Sequence, residues 1–128
     1  MVRRARYSLL VLLFGFGAAA QDGPKYNAEI RPILASNCFA CHGQDPQTRA
    51  AGLRLDLFDA AVAAGAIIPG NAAQSPLVAR ILAHDPADRM PPPETKRALS
   101  ESEIETLRRW IDAGAQYETH WAFAAPVK

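Results

Sequence analysis

The chain has 128 residues, with fourteen lysines and arginines against thirteen aspartates and glutamates. That length allows one domain. The near balance of charge, with no basic patch interleaved with aromatics, argues against nucleic acid as a partner.

The first twenty residues are set apart. Arg3, Arg4 and Arg6 form a basic start, Leu9 to Phe16 an apolar run, and Ala18-Ala19-Ala20 an A-x-A cleavage site before Gln21. This pattern predicts a secretory signal peptide over residues 1–20. It is too short for a permanent span, so no stable membrane span is expected after cleavage, retention as an anchor being the alternative. These residues hold three arginines and no acid, which leaves eleven basic and thirteen acidic side chains, net −2. The expected location is outside the cytoplasm, periplasmic or associated with the cell envelope.

A polar leader over residues 21–25 contains the turn pair Gly23-Pro24. The pattern then predicts a helix from near Asn27 to Asn37, with Asn27 as N-cap, Glu29 in the first turn, and Ile30, Ile33 and Leu34 as its apolar stripe. Pro32 leaves two alternatives: it sits early and kinks the helix, or the regular helix begins at Arg31-Pro32.

Cys38-Phe39-Ala40-Cys41-His42 follows, the attachment signature of a c-type haem. Residues three apart on a helical turn face the same side, so two sulfurs can reach the two vinyl groups of one porphyrin. The next residue brings its imidazole to the iron as proximal ligand. A zinc site would need a second Cys or His pair, yet the chain has no other cysteine, and His84 and His120 stand alone. A bare disulfide would close a small loop worth little and leave His42 without a role. Covalent attachment of haem outside the cytoplasm agrees with the export signal.

Beyond Gly43, Asp45-Pro46 marks a turn, and Leu53-Arg54-Leu55-Asp56-Leu57 alternates apolar and charged residues as a short extended segment does. Arg54 and Asp56 either bridge each other or steer a haem propionate. Asp56 is expected to cap a short helix through Ala64, with Phe58, Ala61 and Val62 inward and Gly65 at its end. Ile67-Ile68-Pro69-Gly70-Asn71 reads as a loop over apolar surface, and Ser75-Pro76 as an N-cap and first position for a helix carrying Leu77, Val78, Ile81 and Leu82.

From His84 to Arg97 the chain is irregular and proline-rich. Met90, followed by Pro91-Pro92-Pro93, is the only methionine beyond residue 1. A thioether on a stiff proline strap suits the distal ligand of a haem iron and raises its potential. Core filling by Met90, or His84 in its place, are the alternatives. The last helix is the best marked: Ser100 and Glu103 form a capping box, Leu99 can staple to Ile104, and Ile104, Leu107, Trp110 and Ile111 share one face before Gly114. Residues 116–128 show no periodicity.

Taken together, the chain resembles the planctomycete-type cytochrome c domain found near the start of large exported proteins. The resemblance rests on Arg31-Pro32-Ile33-Leu34, Cys38 to Gly43, Gly52-Leu53-Arg54-Leu55-Asp56, Pro69-Gly70-Asn71, Ser75-Pro76-Leu77-Val78, Arg89-Met90-Pro91-Pro92, Leu99 to Ala115, and His120-Trp121-Ala122-Phe123. It implies an all-α, cytochrome c-like fold over residues 26–115. Three to five short helices would surround one covalently bound haem c, with the first and last helices crossing beside it. Cys38 and Cys41 would be the thioether attachments, His42 the proximal ligand and Met90 the distal one. Residues 116–128 would lead to further domains downstream. The expected function is single-electron transfer with redox partner proteins or those downstream domains. No catalytic Ser/His/Asp set is visible, so the chain reads as an electron-transfer domain rather than an enzyme. A haem-based ligand sensor, or a structural haem module that docks catalytic domains, are the alternatives.

Overall fold

The computed structural model describes residues 22–119. The expected signal peptide and the His120-Trp121-Ala122-Phe123 stretch lie outside the described residues. Within them there are five short α-helices and no strand: α1 Arg31–Asn37, α2 Phe39–His42, α3 Phe58–Ala63, α4 Pro76–Ile81 and α5 Glu101–Asp112. The all-α expectation is met. No helix among the described residues is long and apolar enough to cross a membrane.

Pro32 decides how the chain enters α1. A proline ring collides with the carbonyl four residues back in a regular helix. Here the preceding turn, Tyr26–Ile30, is a wider π-type turn, with the Arg31 N–H reaching the Tyr26 carbonyl five residues back. The regular helix then starts at Arg31, with Pro32 in its first turn. Asn27 is not the N-cap. Its side-chain amide donates to the Thr119 carbonyl at 2.9 Å. The Glu29 carboxylate instead accepts from the Lys25 N–H at 2.8 Å.

α5 follows its sequence signals closely. Ser100 Oγ accepts from the Glu103 N–H, and the Glu103 carboxylate accepts from the Ser100 N–H at 2.8 Å. At the other end, Gly114 (φ 107°) and Ala115 (φ 52°) turn the chain left-handed. The Gly114 N–H reaches the Ile111 carbonyl and the Ala115 N–H the Trp110 carbonyl, both at 2.9 Å. This paired closure satisfies carbonyls that the helix end would otherwise orphan. One of the two, that of Ile111, also accepts from the Gly70 N–H at 2.7 Å, which pins the 67–71 loop to the helix end.

The core forms where the Tyr26–Ile30 turn and α1 meet α5. Tyr26, Ile30, Ile33 and Leu34 from one side and Leu107, Trp110 and Ile111 from the other are buried, with Leu55, Ile67, Leu77 and Val78 completing the cluster. Trp110 Nε1–H donates to the Gln116 carbonyl at 3.0 Å, so its one polar group is satisfied. Ile104 is only half-buried, so the apolar face begins at Leu107. Packing continues past residue 115: Tyr117 stacks on Tyr26 with ring centroids 4.4 Å apart.

Two further expectations are corrected. α3 is capped at Leu57 without any side-chain bond, because the Asp56 carboxylate is held by Arg54, whose Nε donates to it at 3.0 Å. Of its inward residues only Ala61 is fully buried, while Phe58 lies at the surface against the Tyr117 edge at 5.8 Å. Ser75 does stand at the start of α4, but its hydroxyl turns backward. It accepts from the Ile68 N–H and donates to the Asn71 carbonyl, both at 2.9 Å, closing the loop instead of the helix.

Trp110→Ala is expected to cost about 3–5 kcal/mol by loss of burial and the cavity left behind. Ser100→Ala is expected to cost about 1 kcal/mol through loss of the cap. Equilibrium denaturation checks both, and a Trp110→Ala protein as stable as Ser100→Ala would place the core elsewhere.

Candidate functional site

α1 ends by handing the chain to a single tight turn. The Cys38 N–H donates to the Leu34 carbonyl at 2.7 Å as the last bond of that helix. The Cys38 carbonyl then accepts from the N–H groups of Cys41 at 3.2 Å and His42 at 2.8 Å. Both thiols and the imidazole are thus carried on one helical turn, as the spacing predicts. The next residue has to be glycine: a Cβ on Gly43 would collide with the Phe39 backbone carbonyl.

Two contacts hold this turn from outside. The Leu55 N–H donates to the His42 carbonyl at 2.8 Å. Arg49 folds back over the following loop, with Nε on the Gly43 carbonyl at 2.9 Å and its second nitrogen on the Gln44 carbonyl at 2.7 Å. Neither was legible from the sequence, since each joins segments whose pairing no local pattern encodes.

Above the turn lies a cavity of about 330 Å³, open on one side, into which Cys38, Cys41, His42 and Met90 all face. Its walls are otherwise mostly apolar, with Leu53, Leu55, Leu77 and Ile81 among them. The four residues singled out in the sequence therefore share one chamber. No residue of α5 lines it; that helix stands behind, on the core side. His84 lies on the exposed loop and is not part of the wall.

The Met90 segment is fastened at several points. The Met90 N–H donates to the Arg80 carbonyl at 3.0 Å. Arg89 Nε donates to the Ala83 carbonyl at 2.8 Å. Thr95 Oγ1 donates to the Pro92 carbonyl at 2.7 Å. The Met90–Pro91 peptide is cis and Pro91 is buried.

The polar groups facing the chamber are unusual for a plain core. Both cysteines are free thiols. Burial pushes the Cys38 thiol up to about 11, with the Arg97 charge pulling the other way. His42 Nδ1 is buried and has no hydrogen-bond partner. That leaves Nε2 as the ring nitrogen with access. Among the described residues no three His, Cys, Asp or Glu side chains converge as a metal cage requires.

The thiol's elevated pKa makes a measurable prediction. In the cofactor-free Cys41→Ser chain, alkylation of Cys38 at a pH of about 8 should run roughly a hundredfold slower than that of a free cysteine, whose pKa is near 8.5. Because the folded-state value is raised, the associated stability is complete below the unfolded pKa. It is lost as pH rises toward about 11. Fast alkylation at neutral pH in a still-folded chain would contradict the burial.

The family model described as Planctomycete cytochrome C matches residues 38–94. The match opens on the first thiol and closes just beyond the Met90-Pro91-Pro92 strap, so it spans the chamber's four distinctive residues. No curated protein and no solved structure matches the chain.

Proposed function

We propose that this chain, whose residues 38–94 match the family model described as Planctomycete cytochrome C, is an exported single-electron carrier built on one covalently bound haem c. The observation that carries the reading is the shared chamber of Cys38, Cys41, His42 and Met90. The donor set fits the group: two thiols would form the thioether bonds, and an imidazole and a thioether would ligate the iron. The bound haem supplies the one-electron chemistry.

The chain's own residues set the conditions for it. Cys38 and Cys41 anchor the macrocycle to the turn. His42 would ligate the iron through Nε2, while the Leu55 N–H fixes its backbone. Met90 would ligate it through its sulfur, and the bond from its N–H to the Arg80 carbonyl keeps the strap in place. The apolar side chains of Leu53, Leu55, Leu77 and Ile81 would give a bound haem a low-dielectric surround, which would favour the less charged ferrous state. Redox partner proteins, or further domains of the same parent chain, would exchange electrons through the open side.

The test is spectroscopic. Expressed with a periplasmic haem-attachment system, the protein should keep its haem through acidified organic extraction. The ferric form should be six-coordinate and low-spin, and the ferrous form should resist carbon monoxide. Met90→Ala should open the site, admit carbon monoxide and lower the potential, since the thioether's preference for ferrous iron is lost. His84→Ala should change none of these. Release of haem on extraction would sink the covalent assignment. An unmutated protein that takes up carbon monoxide readily would replace electron transfer with ligand sensing.

A further inference from the structure

The wall of the chamber carries two guanidinium groups, Arg80 and Arg97, and not one carboxylate. Other arginines in the neighbourhood are committed. Arg54, one of the two sequence candidates for steering a propionate, is paired with Asp56 and does not line the chamber. Arg49 binds the Gly43 and Gln44 carbonyls, and Arg89 those of Ala83 and His84. The Arg97 guanidinium, by contrast, makes no hydrogen bond or ion pair among the described residues. Arg80 meets only Asp88, at 3.5 Å and with both side chains exposed, an arrangement worth little in water.

Cations placed at the edge of an apolar chamber lose hydration when an apolar ligand enters, unless that ligand brings anions of its own. We propose that Arg97, with Arg80 as second partner, binds the two carboxylate arms of the porphyrin held in this chamber. The inference rests on the haem reading and adds to it the residues that orient the ring's polar edge. A planar guanidinium matches a carboxylate bidentately, which fixes direction as well as charge. The chain presents Arg97 firmly: Lys96 takes a left-handed turn (φ 56°) after the Pro93–Thr95 turn, and the Arg97 N–H donates to Thr95 Oγ1 at 3.3 Å. Arg97 lines the same chamber as the Cys38 thiol.

The experiment measures midpoint potential against pH for the holoprotein and for Arg97→Gln, Arg80→Gln, Arg97→Lys and Arg108→Gln. Arg108 lies on the exposed face of α5, outside the chamber wall, where it meets only Glu105 at 3.8 Å, so its variant controls for the loss of one surface cation. Denaturing extraction first establishes that each sample carries covalent haem. An adjacent arginine lowers a carboxyl pKa by ~1–3 units, so in Arg97→Gln the pH at which the potential begins to fall should move up by about one unit or more. Arg80→Gln should move it less, because Asp88 already competes for that cation. Arg97→Lys should recover most of the shift, and Arg108→Gln should show none. Cys38, Cys41 and His42 share the wall, Asp88 faces Arg80, and Glu94 and Lys96 lie close in sequence; the Gln and Lys variants of Arg97 hold all of these constant. Loss of haem from Arg97→Gln with retention in Arg97→Lys would equally report the need for the cation. If Arg97→Gln and Arg80→Gln behave like Arg108→Gln with haem attached, the carboxylate assignment falls while the haem reading stands. If the unmutated protein holds no covalent haem, both fall together.

Discussion

The backbone of Leu55 is the constraint on which the rest of the site depends. α2 is only four residues long and has no core of its own. Its terminal carbonyl, on His42, would be orphaned without an outside donor. The Leu55 N–H supplies that donor at 2.8 Å, and the Leu55 carbonyl in turn accepts from the Tyr117 hydroxyl at 2.8 Å. The Leu55 side chain is buried and faces the chamber. One residue thus joins the cysteine-histidine turn, the chamber wall and the far end of the chain.

Tyr117 can anchor that link because it is itself fixed. Its ring stacks on Tyr26 and lies 5.2 Å from Trp110, so the hydroxyl has a defined direction. Burial raises its pKa, with Tyr26 and Asp56 adding to the effect, and Tyr26 is likewise pushed up to about 12. Both phenols therefore stay protonated across the physiological range, and Tyr117 stays a donor. The core between the first and last helical segments consequently does more than stabilise. It sets the position of a carbonyl, which sets a peptide, which sets the backbone of His42.

The parts of this design that were legible in the sequence are those written locally. The capping box of α5, the left-handed end at Gly114 and the thiol-thiol-imidazole turn each depend on residues within five positions of one another. The failures share a cause in competition: each capping side chain found another partner, near or far in the sequence. Asn27 has the chemistry of an N-cap, but Thr119, ninety-two positions away, offers its side chain a carbonyl. Ser75 occupies its predicted place, yet its hydroxyl serves the 68–71 loop, which no periodicity reveals. Asp56 was free to cap α3 until Arg54 claimed it. Within the site, Met90 stood out because a methionine in a proline run has no helical stripe to join. Arg80 and Arg97 did not stand out, since only the folded chamber shows that they face it without an acid.

The division between core and chamber also bears on how an electron carrier works. Regular helices with buried stripes form one side, whereas the chamber is walled largely by turns and by the strap over residues 90–97. Loops are ordinarily the mobile part of a fold. Here the strap has no apolar stripe to bury, and it is held by backbone hydrogen bonds and by ring-fixed φ angles at three consecutive prolines. A proline run loses little conformational entropy on ordering, because its unfolded state is already restricted. The strap can therefore be rigid without being part of the core. Rigidity is what the proposed role asks of it: a soft thioether stays at the iron through a change of one charge only if the segment carrying it has nowhere else to go. The fastening of Met90 through its own N–H to the Arg80 carbonyl, at the chamber's edge, places that restraint on the proposed ligand residue itself.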